Sequence, residues 1–170
     1  MKISKNNILK LSILLSIICF FSLNIFSNNT FNRISLDTTQ NNLYTISSGT
    51  EKFLKNIDEP IHLRLFMSST LVEIAPQLST YANRVESLLY SYANMSEGKI
   101  TLEIIDPKPF SDQEDRAVGM GISPFGGSNN NDPLYFGLAA TNSTTGQKNI
   151  NVFSPEREPF LEYDLTRLIA

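Results

Sequence analysis

The apolar positions change period along the chain, and each change marks an element. Leu11–Phe26 (LSILLSIICFFSLNIF) has no period at all and carries no charge. Extended back to Ile8 it includes a single lysine, Lys10, whose long stem can reach toward headgroups. A helix over residues 8–26 rises roughly 28 Å, close to the ~30 Å hydrocarbon thickness of a bilayer. Farther along, Ile61–Met67 alternates Ile61, Leu63, Leu65 and Met67 with His62, Arg64 and Phe66, the two-residue period of a strand. Ile100–Ile105, Leu134–Thr141 and Lys148–Phe153 read as further strands, the last two joined by a polar turn through Asn142–Gly146.

Between them the period becomes helical. Over Pro76–Met95, the residues Leu78, Tyr81, Ala82, Val85, Leu88, Leu89 and Tyr92 form one apolar stripe, closed by Gly98. Shorter helices are predicted over Thr50–Ile57, capped by Ser47 or Ser48 and stopped before Pro60, and over Glu158–Ile169, with Leu161, Leu165 and Leu168 on one face. Ser111-Asp112-Gln113-Glu114 is a capping box opening a helix that runs to about Met120. Residues 27–42 read as a polar linker, Leu43–Ile46 as a short β-prone run, and Ser123–Pro133, with Gly126, Gly127 and three consecutive asparagines, as a flexible loop.

The resulting order is β-α-β-α-β-β-α behind one transmembrane helix. A long helix joins the first two strands, so they should be parallel with a right-handed crossover. The last two should form an antiparallel hairpin. The expected fold is therefore α/β, a mixed sheet in thioredoxin-like order over residues 43–170. Its redox form is excluded, because Cys19 is the only cysteine and no C-x-x-C exists.

Composition narrows the chemistry. One cysteine and one histidine rule out a cysteine–histidine zinc cage and a disulfide within the chain. A net charge of −3 and a pI near 5.2 count against a nucleic-acid partner. Three of the 14 basic residues, Lys2, Lys5 and Lys10, precede Leu11, leaving 11 basic against 17 acidic residues in the rest of the chain. That asymmetry predicts a cytoplasmic tail at residues 1–7, a single-pass signal anchor at 8–26 in the bacterial inner membrane, and an extracytoplasmic domain. The stretch is longer than a secretory h-region, and Ser27-Asn28-Asn29 is a poor cleavage site, so an uncleaved anchor is preferred over a cleaved signal peptide.

The chemistry-bearing residues have plain structural readings. His62 is expected as a surface or hydrogen-bonded sheet residue. Asp106, Asp112, Glu114 and Asp115 lack the spacing of a calcium loop and suit a helix N-terminus. Ser68-Ser69-Thr70 is read as a helix cap, and Arg116 as an ion-pair partner. Gly126-Gly127 matches neither phosphate-binding glycine motif, so no ATP site is expected. No catalytic, cofactor or metal residue is assigned. The run Glu156–Asp164 mixes both charge signs with two aromatics at a helix start. It reads either as helix-start chemistry, including an Arg157 ion pair fixing the helix on the sheet, or as a partner surface formed by Arg157, Glu158, Glu162, Tyr163 and Asp164.

Several stretches, taken in order, resemble a known family. They are Leu43-Tyr44-Thr45-Ile46-Ser47, Asp58-Glu59-Pro60-Ile61, Ile105-Asp106-Pro107-Lys108-Pro109-Phe110-Ser111, Glu114-Asp115-Arg116-Ala117, Leu134-Tyr135-Phe136-Gly137-Leu138 and Arg157-Glu158-Pro159-Phe160-Leu161-Glu162-Tyr163-Asp164-Leu165. Together they resemble the N-terminal region of GldG-like auxiliary components of ABC transport systems. The resemblance implies a non-ATPase subunit in the lipid bilayer, beside a multi-pass permease and a cytoplasmic ATPase, in some bacteria tied to gliding motility. It also implies an N-terminal fragment, since such proteins continue into a further domain and a second span. The alternatives are a free-standing membrane-anchored interaction module, or an enzyme on the same fold lacking redox cysteines.

Overall fold

The computed structural model describes residues 46–126, 132–144 and 146–170, together with Leu15, Ser16 and Phe20. The chain divides into two units, Met1–Asn42 and Leu43–Ala170. In the first, Leu15, Ser16 and Phe20 are helical. Among the described residues no helix is long and apolar enough to cross a membrane. The predicted anchor otherwise lies outside them, as do the linker and Leu43–Thr45.

The second unit is a mixed α/β domain. Its elements are α1 (Ser48–Lys55), β1 (Ile61–Met67), α2 (Leu71–Ile74), α3 (Ser79–Met95), β2 (Ile100–Ile105), α4 (Asp112–Gly119), β3 (Phe136–Thr141), β4 (Gln147–Ile150) and α5 (Leu161–Ile169). The four-stranded sheet runs β2-β1-β3-β4. β1 and β2 are parallel, with Leu63 beside Leu102, while β3 is antiparallel to both β1 and β4. The predicted strand directions are therefore present.

The alternation in β1 sorts the two faces. Ile61, Leu63 and Leu65 join Leu54 of α1, Val85, Leu89 and Tyr92 of α3, and Leu161 and Leu165 of α5 in the main core. Tyr81, Phe136 and Phe153 pack there as edge-on and tilted rings, with centroids 4.9–6.3 Å apart. The other face is smaller. Phe66, Ile105, Ala117, Ile122, Tyr135 and Ala139 make a second cluster under α4.

Where element ends differ from the predicted ones, local chemistry explains the difference. α1 starts at Ser48 because the Ser47 hydroxyl accepts from the Thr50 amide, and it stops before Ile57 where the Asn56 amide turns back to the Phe53 carbonyl. α3 begins three residues after Pro76, behind a 3₁₀ turn over Pro76–Leu78, and a short helix, α2, precedes it. After α3, Glu97 and Gly98 take positive φ values of 53° and 86°, turning the chain back into β2. α5 starts at Leu161 rather than Glu158, because Pro159 disfavours α geometry at the residue before it; Pro155–Phe160 forms a 3₁₀ turn instead.

The hairpin strands are shorter than expected. β3 begins at Phe136, since Leu134 instead bridges to Phe125 across the base of the 123–133 loop. β4 ends at Ile150. Phe153 leaves the strand to enter the core, while its amide still bonds the Phe136 carbonyl at 2.8 Å.

Candidate functional site

The second sheet face carries a polar network. The parallel register sets His62 beside Thr101 and Arg64 beside Glu103. His62 Nδ1 lies 2.7 Å from Thr101 Oγ1 on an exposed part of the sheet, in agreement with its structural reading. Arg64 donates to Glu103 at 3.2 Å and to Thr141 Oγ1 at 2.9 Å. Arg116 of α4 closes on Glu103 with two parallel 2.9 Å bonds, the ion pair predicted for it. The Arg116 hydrogen bonds hold the Glu103 carboxyl below its ordinary range, and the Arg64 charge adds to this. The network ties α4 across β1 and β2; each charged member points at another member.

The capping box forms with one displacement. Ser111 Oγ accepts from the Glu114 amide at 3.3 Å, and Glu114 reaches back to the amide of Phe110, at 2.7 Å, rather than to that of Ser111. Phe110 sits at φ 61°, unusual for an aromatic residue, and is fully exposed. The other Glu114 oxygen accepts from the Tyr135 hydroxyl at 2.9 Å. Burial, reinforced by Glu114, pushes the Tyr135 phenol up to about 12. Asp106 accepts from the Ser69 amide at 2.9 Å, and Asp112 and Asp115 stand in the first turn of α4. Among the described residues no group of acidic, histidine or cysteine side chains is placed to hold a metal ion.

The 68–70 segment departs from its predicted role. Thr70 precedes α2 and makes no side-chain cap bond. Ser68 is buried, and its hydroxyl accepts from the Tyr135 amide at 2.9 Å while its own amide donates to the Tyr135 carbonyl. The serine therefore joins the end of β1 to the start of β3.

The five residues considered as a partner surface divide. Arg157 donates to both Asp164 oxygens, at 2.8 and 2.7 Å, and lies 5.8 Å from the Phe160 ring centroid. This pair joins the 3₁₀ turn to α5 and does not reach the sheet. Glu158 turns inward to Arg84 of α3, at 2.8 Å. Glu162 accepts from the Ser47 amide at 3.0 Å and the Ser47 hydroxyl at 2.6 Å, tying α5 to the start of α1. Burial raises the Glu162 carboxyl, but the hydrogen bonds from Ser47 and Thr50 together outweigh it and leave it below its ordinary value. Tyr163 and Phe160 remain exposed. Arg157, Phe160, Tyr163 and Asp164 are thus the outward part of this surface.

A groove of about 330 Å³ borders it, between β4 and α5. Lys148 and Ile150 form one wall, Arg157, Asp164, Arg167 and Leu168 the other. Neither Lys148 nor Arg167 attracted notice in the sequence, because only the packing of α5 beside the edge strand brings them to one concavity.

Residues 40–141 match a domain of unknown function, DUF7088, over more than half of the chain. The protein belongs to the DUF7088 family. The match covers α1 through β3, hence both networks around Glu103 and Glu114. β4, α5 and the groove between them follow the matched segment. No curated protein and no solved structure matches the chain.

Proposed function

We propose that this DUF7088 protein is a membrane-anchored, non-enzymatic interaction subunit of an ABC-type transport system, with its α/β domain outside the inner membrane. The observation that carries the reading is the uncharged run Leu11–Phe26 behind three lysines, placed just ahead of a self-contained α/β domain. The ordered resemblance to GldG-like components supplies the transport context. The strand order β2-β1-β3-β4, with one parallel pair and a terminal hairpin, supports a thioredoxin-like classification. The ionisable groups of the sheet network and the capping box face structural partners, which suits a scaffold more than a reaction centre. In this mechanism residues 8–26 pack with a permease, an ATPase on the cytoplasmic side supplies energy, and the domain positions a partner or cargo.

The test is recovery of the tagged full chain from native membranes in mild detergent. An ATP-binding cassette ATPase and a multi-span permease should co-purify, and replacing residues 8–26 with an unrelated span should release them. Recovery of the chain wholly in the soluble cytosolic fraction would overturn the assignment. Membrane residence without either transport subunit would favour a free-standing interaction module, which the open groove beside α5 also suits.

A further inference from the structure

We propose that the groove between β4 and α5 takes an extended acidic segment of a partner protein, which adds to the outer edge of β4 and sets its carboxylates on Lys148 and Arg167. The proposal rests on the reading of this domain as an interaction module, not on the identity of any transport complex.

Charge gives the first argument. Three cations, Lys148, Arg157 and Arg167, line the groove against one acid, Asp164. Asp164 is already engaged by both nitrogens of the Arg157 fork. The two remaining cations therefore face the groove without an acid of their own in its walls. This is a basic concavity on a chain whose net charge is −3, and it attracts an acidic ligand over a basic one.

Shape gives the second. Among the described residues β4 ends the sheet order, so no described strand pairs with its outer backbone edge. An extended peptide can hydrogen-bond to such an edge while alternate side chains enter pockets beside it. Register places Lys148 opposite Ala140 and Ile150 opposite Leu138, both on the main-core side of the sheet, where α5 lies. Ile150 and Leu168 give the groove an apolar part flanked by the two cations. A lysine on an edge strand also discourages self-pairing, but that need does not call for Arg167, which comes from a different element to the same groove.

The test uses the full chain in nanodiscs of zwitterionic phosphatidylcholine. The probe is a fluorescein-labelled decapeptide alternating glutamate with valine, followed by anisotropy. Saturable binding is expected, weakening with added salt, with little binding of the lysine–valine or serine–valine counterparts. Lys148→Glu and Arg167→Glu should each weaken binding roughly three- to tenfold and together abolish it, with unchanged circular dichroism. Amide exchange over Gln147–Ile150 should slow in the complex. Equal binding of the serine–valine peptide, indifference to both substitutions, or unprotected β4 amides would overturn the proposal. So would binding of phosphatidylglycerol vesicles through Lys148 and Arg167 without peptide binding, which would assign the groove to lipid. Co-purification of permease and ATPase with the double variant would separate failure of the groove from failure of the transport reading.

Discussion

Arg84 and Glu158 meet 2.8 Å apart across the join between α3 and the 3₁₀ turn that precedes α5. The arginine side chain is only 7% exposed, whereas the glutamate retains 32%. Arg84 is one of the buried residues of α3, along with Tyr81, Val85 and Leu88, so its charge must be answered locally. Removing the acid withdraws a 2.8 Å carboxylate partner from a cation held largely out of water, a change that costs more than replacing both partners by apolar groups. Glu158→Gln should destabilise the domain by about 1–3 kcal/mol, less than a fully buried pair would lose because the acid is partly hydrated. The double variant Arg84→Met, Glu158→Leu should recover much of that loss. Urea denaturation of the parent protein and the two variants, followed by tyrosine fluorescence, checks the order; equal losses for Glu158→Gln and the double variant would remove the argument.

Arg84 also marks the limit of reading the chain unaided. The apolar stripe of α3 announces which face is buried, and the two-residue period of Ile61–Met67 and the β-prone run Ile100–Ile105 give β1 and β2 with their observed ends, because these patterns are local. A charge inside the stripe reads as an exception until the 3₁₀ turn before α5 brings Glu158 to it. The same holds for Glu162, which looks like an ordinary first-turn acid yet binds Ser47, 115 residues earlier. Ser68 looks like a cap and is a strand-to-strand clamp. Each role is set by a contact remote in sequence. The β4–α5 groove depends on packing in the same way: Lys148 and Arg167 are unremarkable until an edge strand and a helix are laid side by side.

The Glu103 network predicts an acid-side stability profile. A carboxyl held below its unfolded value of 4.5 stabilises the fold above that value, and the contribution disappears as pH falls through the lower native value. Glu103 and Glu162 both behave so, the first through Arg116 and the second through Ser47 and Thr50 against the cost of burial. Glu103→Gln should cost no more than about 1 kcal/mol at neutral pH, since the Glu103 side chain is half exposed and screened. The difference from the parent protein should shrink to nothing below pH 4.5 as the native carboxyl takes up its proton. Urea midpoints measured from pH 7 downward test this; a constant difference at all pH values would show that Glu103 acts through packing and not charge.

At the alkaline end the tyrosines should dominate. Burial pushes Tyr81, Tyr92 and Tyr135 from 10 to about 12. A phenol raised in the native state stabilises the fold fully below pH 10, and that stabilisation is lost between 10 and about 12, because the unfolded chain ionises first. Tyrosinate absorbance should therefore show three of the six tyrosines titrating late and together with unfolding. Tyr135→Phe removes the bond to Glu114 and should cost about 0.5–1.5 kcal/mol at neutral pH. If the phenols of Tyr81, Tyr92 and Tyr135 titrate near 10 while circular dichroism stays native, the burial of these three rings is wrong.

Two glycines should respond in opposite directions to alanine. Gly137 lies in β3, where the chain after β4 crosses close to it: an added Cβ would stand 2.5 Å from the Asn151 carbonyl oxygen, 2.7 Å from Ile122 Cγ2 and 2.9 Å from the Ile150 carbonyl oxygen. Two of those atoms are backbone, so relief requires β4 to move away from β3 and Phe153 to shift in the core. Gly137→Ala should cost about 2–4 kcal/mol. Gly119 is the last residue of α4 and has nothing within 4 Å of its would-be Cβ. There the alanine only restricts the unfolded chain and favours helix, so Gly119→Ala should stabilise by about 0.5–1 kcal/mol. Thermal melting of both variants beside the parent decides the matter. A neutral Gly137→Ala would mean that β4 does not approach β3 as closely as the Asn151 and Ile150 carbonyls place it.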